Sequence, residues 1–332
     1  MNDNNRIDFL GQSDKVFTDR GRDGKELPWR EKKIGNLAYY EILAYLGFPK
    51  ADRVSDCARV LEFNVLQSND KHLKRAWFCK SVLCPTCNWR KAMKHSAHVM
   101  LVVSEAVRRR RTARWLFLTL TVKNAWDGEE LDKSLKLINR AFNRLVKYKK
   151  IQKNLIGFVR STEVTVNAEN GSYNQHIHVL LCVKSTYFKD NDNYIEQAEW
   201  AEMWQRATKV DYTPVVHIQV VKDIRGKEIA SKLPTGLESA VKETAKDAVK
   251  SSDNLTGHFD EDVAVVQDLE QGLYRKQMVG WGGLLKTIHK ELGLETKEDL
   301  VHIDEDKVEE IEEVAYVLVA RWNFRKQNYF VD

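Results

Sequence analysis

What this chain lacks narrows it first. No apolar run approaches the ~18 residues needed to cross a bilayer, and no secretory signal opens the sequence, so the cytoplasm is the expected compartment. Internal repeats and low-complexity blocks are missing, which argues against a solenoid or a compositionally biased tail. Cysteine is scarce, with 5 in 332 residues, and four of the five fall between positions 57 and 87. In a cytosolic chain such clustering reads as metal before disulfide. Neither sign of charge dominates, since the net charge is only +5.

What is present supports a folded protein. Hydrophobic residues make up 43% and charged residues 30%, enough for a real core under a wetted surface. A length of 332 residues suits two modest domains or one elaborated one. The charge is unevenly placed, with basic residues crowding 71–114 and 133–153 and acidic ones crowding 295–313. That asymmetry suggests a polyanionic partner, most simply nucleic acid, against the plainer reading of a solvated charged surface.

Residues 157–184 (GFVRSTEVTVNAENGSYNQHIHVLLCVK) read as two strands joined by a turn at Asn170-Gly171, a strong hairpin signal. Alternation along a strand puts His176 and His178 on one face and Ile177, Val179 and Leu181 on the other. A two-residue turn sets Glu163 opposite His178 and Thr165 opposite His176, with partners about 5 Å apart at Cβ. Two imidazoles and a carboxylate on one face predict a divalent-metal site with open positions, made by Glu163, His176 and His178. A slip of one residue would carry Glu163 to the wrong face.

Cys84-Pro-Thr-Cys87 has the C-x2-C spacing that brings two thiolates to one zinc, and Cys79 is near enough to be a third ligand. Cys57 is the expected fourth, with His72 as its substitute; a redox C-x-x-C pair and buried free thiols are the alternatives. Four protein ligands leave no open position, so this zinc would be structural.

Residues 1–33 are polar without an apolar period and read as a mobile arm, followed by a short helix at 36–46. A long basic helix is expected at 89–112, ending in Arg108–Arg111, where cations either favour the helix C-terminus or face DNA. From there the pattern is strand 115–122, helix 131–149, the hairpin, helix 195–207 and strand 215–221. This β-α-β-β-α-β order is the split βαβ arrangement, an α+β fold with an antiparallel sheet and both helices on one face. Leu116, Leu118, Leu120, Val164, Ile177, Val179 and Leu181 would take the helix-covered face. Thr119, Ser161, Glu163, His176, His178 and His217 would take the polar one. A helix at 237–250, a Gly-interrupted helix at 277–292 and a final strand at 313–324 complete the reading. The expected segments are an arm and short helix (1–50), a Cys-rich segment with a basic helix (51–113), the domain bearing the histidines (114–256) and a helical, acidic C-terminal region (257–332).

Three stretches in this order, FLTLT (117–121), HIHVLL (176–181) and ETAKDAVK (243–250), together with FCKSVLCPTCNWRK and GGLLKTIHKELGL, resemble the replication initiator (Rep) proteins of rolling-circle plasmids, the single-tyrosine branch of the HUH endonuclease superfamily. The resemblance spans roughly residues 57–294. It implies a catalytic HUH domain on a ferredoxin-like sheet, which binds plasmid origin DNA, nicks one strand and transfers it. It implies Mn²⁺ or Mg²⁺ held by Glu163, His176 and His178, and host helicase, host polymerase and a second copy of the chain as partners, with no membrane. Glu243 would activate a water, while Lys246 and Lys250 would neutralise phosphate charge. The family's nucleophilic tyrosine position is Asp247 here. A phenol has a pKa of about 10 and a carboxylic acid about 4. A carboxylate attacking phosphorus would form a labile mixed anhydride while expelling a far more basic 3′-oxygen, and its side chain is shorter. Impaired nicking is therefore expected. An origin-binding protein that does not cut, or a relaxase or transposase on the same fold, is the alternative.

Overall fold

The computed structural model describes residues 15–21, 24–189, 192–221, 235–244, 258–295, 299–302 and 313–332. The chain divides into two compact units, Met1–Arg90 with Asp299–Asp332, and Lys91–Glu298. Among the described residues no helix is long and apolar enough to cross a membrane.

The first unit begins with α1 (Trp29–Tyr45), α2 (Ala51–Ser55), β1 (Val60–Leu66) and β2 (Lys71–Ala76). Helix α1 starts earlier than the 36–46 segment expected from apolar spacing, and the described residues before it do not form a free arm. Phe17 is buried, its amide donating to the Tyr329 carbonyl at 2.9 Å and its ring lying 5.0 Å from that of Phe63. Trp29 packs edge-on to Phe63, and its indole N–H donates to Asp19 at 2.9 Å. Two isolated aromatics in a polar stretch make no periodic signal, yet each buries enough apolar surface to anchor the chain. Helix α3 (Pro85–Arg109) follows, its first residues in this unit and the rest in the second.

The second unit contains β3 (Arg114–Thr121), α4 (Gly128–Leu145), α5 (Lys149–Asn154), β4 (Leu155–Val166), β5 (Tyr173–Val183), α6 (Gln197–Thr208), β6 (Val216–Val220), α7 (Thr235–Thr244), α8 (Phe259–Gly272), β7 (Val279–Gly282) and α9 (Gly283–Glu291). Its sheet is antiparallel throughout, in the order β6-β3-β5-β4-β7. The expected β-α-β-β-α-β succession is there from β3 to β6, with the short α5 added between α4 and β4. The stretch expected as one Gly-interrupted helix is instead β7 followed by α9, and β7 adds a fifth strand beside β4.

Helices α4 and α6 cover one face. Asp127 caps α4 by accepting from the Glu130 amide at 2.8 Å, and Glu130 accepts in return from the Trp126 amide at 3.0 Å. Leu131, Leu135, Ile138, Phe142 and Leu145 then recur on one side of α4 and are buried, as are Leu116, Leu118, Leu120, Val164, Ile177, Val179 and Leu181 of the sheet. Trp204 of α6 is fully buried and donates to the Thr121 carbonyl at 2.7 Å. The other side of the sheet is covered as well, in part by the helix expected at 237–250. There Trp115, Phe117, Val159, Leu180 and Cys182 form a second core with Val99, Val102 and Val103 of α3, Leu237 and Val241 of α7, and Leu285 and Ile288 of α9. These sheet residues share the histidine face but lie toward the Arg114 end, leaving the polar residues toward the Thr121 end.

The chain returns to the first unit as β8 (Val314–Asn323) and β9 (Asn328–Val331), completing an antiparallel sheet in the order β2-β1-β8-β9.

Candidate active site and metal centres

The hairpin register differs from the one expected by two residues. Glu163 pairs with His176, and Ser161 with His178. The turn is longer than Asn170-Gly171 alone. The Asn167 amide donates to the Ser172 carbonyl, the Gly171 amide donates to the Asn167 carbonyl, and Asn170 Oδ1 accepts from both the amide and the hydroxyl of Ser172. Gly171 takes the positive φ of +73° that this loop requires. Because the shift is even, every side chain keeps its face and Glu163 still meets both histidines.

The three donors converge. His176 Nε2 lies 3.2 Å and His178 Nε2 3.1 Å from Glu163 Oε2, and the two imidazole rings stand 4.7 Å apart. Glu163 and His178 are buried, and the His176 side chain keeps 14% exposure. Burial raises the Glu163 pKa, but hydrogen bonds and charge from His176 and His178 outweigh it and hold the carboxyl well below the usual range. Thr119 Oγ1 lies 3.2 Å from His178 Nδ1, and Phe117 stacks on the ring at 5.5 Å. When Thr119 accepts from Nδ1, Nε2 keeps its lone pair toward the shared centre. Two imidazole nitrogens and a carboxylate oxygen within 4.8 Å of one another form a donor set suited to a divalent cation.

Glu243 lies on α7, half-buried, one residue before the last described position of that helix. Lys246, Asp247 and Lys250 lie outside the described residues.

In the first unit Cys57, Cys79, Cys84 and Cys87 are all buried, unoxidised and mutually within 4.8 Å. The Sγ–Sγ distances are 3.5 Å (57–87), 3.6 Å (79–87) and 3.7 Å (57–84). A tetrahedron of thiolates around zinc has edges of about 3.8 Å. The structure brings Cys57 to this group, while His72 is exposed on β2. The Cys79 amide donates to Cys57 Sγ at 3.4 Å, the Lys80 amide to Cys87 Sγ at 3.3 Å and Asn36 Nδ2 to Cys84 Sγ at 3.3 Å. Hydrogen bonds and burial push the Cys57 thiol pKa up; in the Cys84 thiol, burial is overcome by hydrogen bonds from its neighbours and the pKa falls well below the usual value. Lys33 and Asn36, which support this centre, belong to no motif that would have singled them out.

Residues 70–330 match the family described as replication protein. A "Protein rep" of Lactiplantibacillus plantarum is 49% identical over 322 residues, covering 96% of this chain and 99% of the relative. A "Protein rep" of Streptococcus pneumoniae is 43% identical, covering 96% of each. A "Replication protein" of Staphylococcus aureus is 46% identical over 241 residues, covering 72% of this chain and 99% of the relative. The chain therefore belongs to the Rep family of replication proteins. No solved structure matches it.

Proposed function

We propose that this protein initiates rolling-circle replication of a plasmid: it binds origin DNA and carries the metal half of a site that nicks and rejoins one strand. The observation that carries this reading is the convergence of Glu163, His176 and His178 on one point of a sheet face. The strand order β6-β3-β5-β4 with α4 and α6 on one face supports an HUH domain on a ferredoxin-like sheet. We assign this domain to residues 114–256 together with the flanking α3, β7 and α9 that complete its sheet and core, and a structural zinc to Cys57, Cys79, Cys84 and Cys87.

Glu163, His176 and His178 would hold a Mn²⁺ or Mg²⁺ ion, which would supply Lewis-acid polarisation of the scissile phosphate. The protein does the rest. Thr119 and Phe117 hold the orientation of His178, and Glu163 sets its carboxylate beside both imidazole nitrogens as the third donor. Glu243 accepts a proton from an attacking water, and Lys246 and Lys250 offset phosphate charge. A host helicase would unwind the duplex while a host polymerase extends the 3′-hydroxyl freed by the nick.

Asp247, at the tyrosine position, favours a second reading in which the chain binds its origin without cutting. Supercoiled origin plasmid incubated with Mn²⁺ distinguishes the two. No covalent protein–DNA adduct is expected from the chain as it stands, and a 5′-linked adduct is expected from Asp247→Tyr. An adduct of equal yield without the tyrosine would sink this account of position 247. Failure of Asp247→Tyr to cut, with Mn²⁺ bound, would leave the non-cutting reading in possession.

A further inference from the structure

The structure divides the Arg108–Arg111 run in two. Arg108 is paired with Glu105 at 2.6 Å; Arg109 is paired with Glu105 and with Glu291, each at 2.6 Å. These two cations are internally neutralised. Arg110 and Arg111, just past the end of α3, are exposed and carry no carboxylate partner among the described residues. Nor does Arg114, the exposed first residue of β3.

Arg114 pairs with Val183 at the end of β5, and Lys184 follows directly. The Lys184 amide donates to the Asn154 carbonyl at 2.9 Å, and its ammonium donates to the Lys153 carbonyl at 2.7 Å, which leaves its charge uncompensated. Lys153 is exposed as well. Five cations from three separate stretches of chain thus meet at one end of the sheet. Asp192 brings one exposed carboxylate to the same rim, beside Asn193, whose carbonyl accepts from Asn154 at 3.1 Å.

This end lies away from the metal site. Arg114 and Thr121 are the two ends of β3, and Thr121 pairs with His176. Seven strand residues at about 3.3 Å each separate them by roughly 23 Å. Cations held this far from the chemistry cannot act on a phosphate at the metal, yet they are within reach of the same nucleic acid.

We propose that Arg110, Arg111, Arg114, Lys153 and Lys184 form a second DNA-binding surface, which grips the phosphate backbone of the duplex flanking the strand held at the metal site. The inference rests on the reading of the protein as an origin-binding initiator. A duplex is the fitting partner because its two strands present one negative charge per about 1.7 Å of axis, the density that rewards a cluster of unpaired cations. The grip is blind to sequence and sets position and affinity.

The test uses the full chain, binding a single-stranded origin oligonucleotide or the same oligonucleotide with a duplex flank, over a range of salt. The triple variant R110Q/R111Q/R114Q should bind the duplex-flanked DNA about tenfold or more weaker at physiological salt, and the slope of log affinity against log salt should flatten by about 2 to 3. Affinity for the single strand alone should hold. R108Q, which removes an already paired charge, should leave the slope unchanged. A triple variant with the wild-type slope, or one that loses both DNAs equally while still binding Mn²⁺, overturns the proposal and leaves the initiator reading standing. An unmodified chain that binds neither DNA overturns that reading itself.

Discussion

Lys33 is fully buried, and its ammonium donates to Asn36 Oδ1 at 3.0 Å and to the carbonyls of Ser55 and Cys57, each at 2.6 Å. Burial lowers its pKa to about 8, partly opposed by Cys57 and Cys84. Its role is to satisfy three buried acceptors while placing positive charge beside a group of thiolates. Lys33→Met keeps the volume but leaves those acceptors unpaired, so a loss of about 3 kcal/mol in unfolding free energy is expected, with zinc released more readily to a chelator. Denaturant unfolding and a zinc-release assay measure both; an unchanged midpoint would remove Lys33 from the support of this centre. The metal site makes a separate prediction. Replacing both His176 and His178 with Ala should abolish Mn²⁺ binding, which calorimetric titration reads directly, because Glu163 alone supplies one donor of three.

At the scale of elements, the GWGG run shows why an apparent helix interruption is a strand edge. A Cβ on Gly282 would come within 2.1 Å of the Phe158 ring, and one on Gly283 within 2.3 Å of the Ile156 carbonyl oxygen. Gly283 also has φ +57°. These glycines let β7 and the start of α9 lie against β4, and Gly283→Ala should cost about 2 kcal/mol or more, seen as a lower thermal midpoint.

Helix α3 meets β7 and α9 through aromatic contacts. His95 packs against Trp281 at 6.0 Å, Trp281 stacks on His289 at 4.6 Å, and His289 lies 5.8 Å from His98. Among the described residues, His95 Nε2 is buried without a hydrogen-bond partner. Burial, followed by neighbouring positive charge, lowers the pKa of His95 and of His98 to about 4 from 6.5. Both are neutral in the folded protein and take protons more readily when unfolded. Stability should therefore be full above pH 6.5 and fall as pH drops toward 4. His95→Phe should flatten that loss, and urea unfolding across this range decides it.

For the whole molecule, the two units have different sources of cohesion. The second has a sheet covered on one face by α4 and α6 and backed on the other by the core from α3, α7 and α9. The first gathers α1, its loops and a four-stranded sheet around the buried cysteines. Stripping zinc with a chelator should lower the unfolding temperature of the first unit alone and split calorimetric unfolding into two transitions. A single transition that stays put after chelation would refute the zinc assignment.

Much of the site was legible because it is local. Alternation along a strand put His176, His178 and Glu163 on one face whatever the loop did by an even step, and C-x2-C spacing nominated Cys84 and Cys87 without any fold. The β-α-β-β-α-β succession was legible for the same reason, since each element carries its own period. Contacts between distant parts of the chain were decided only by tertiary structure: the two-residue register shift, β7 at the sheet edge, and the pairing that neutralises Arg108 and Arg109 but not Arg110 and Arg111. Periodicity states which way a side chain faces; what it meets there depends on packing and charge brought in from elsewhere in the chain, and no local pattern encodes that partner.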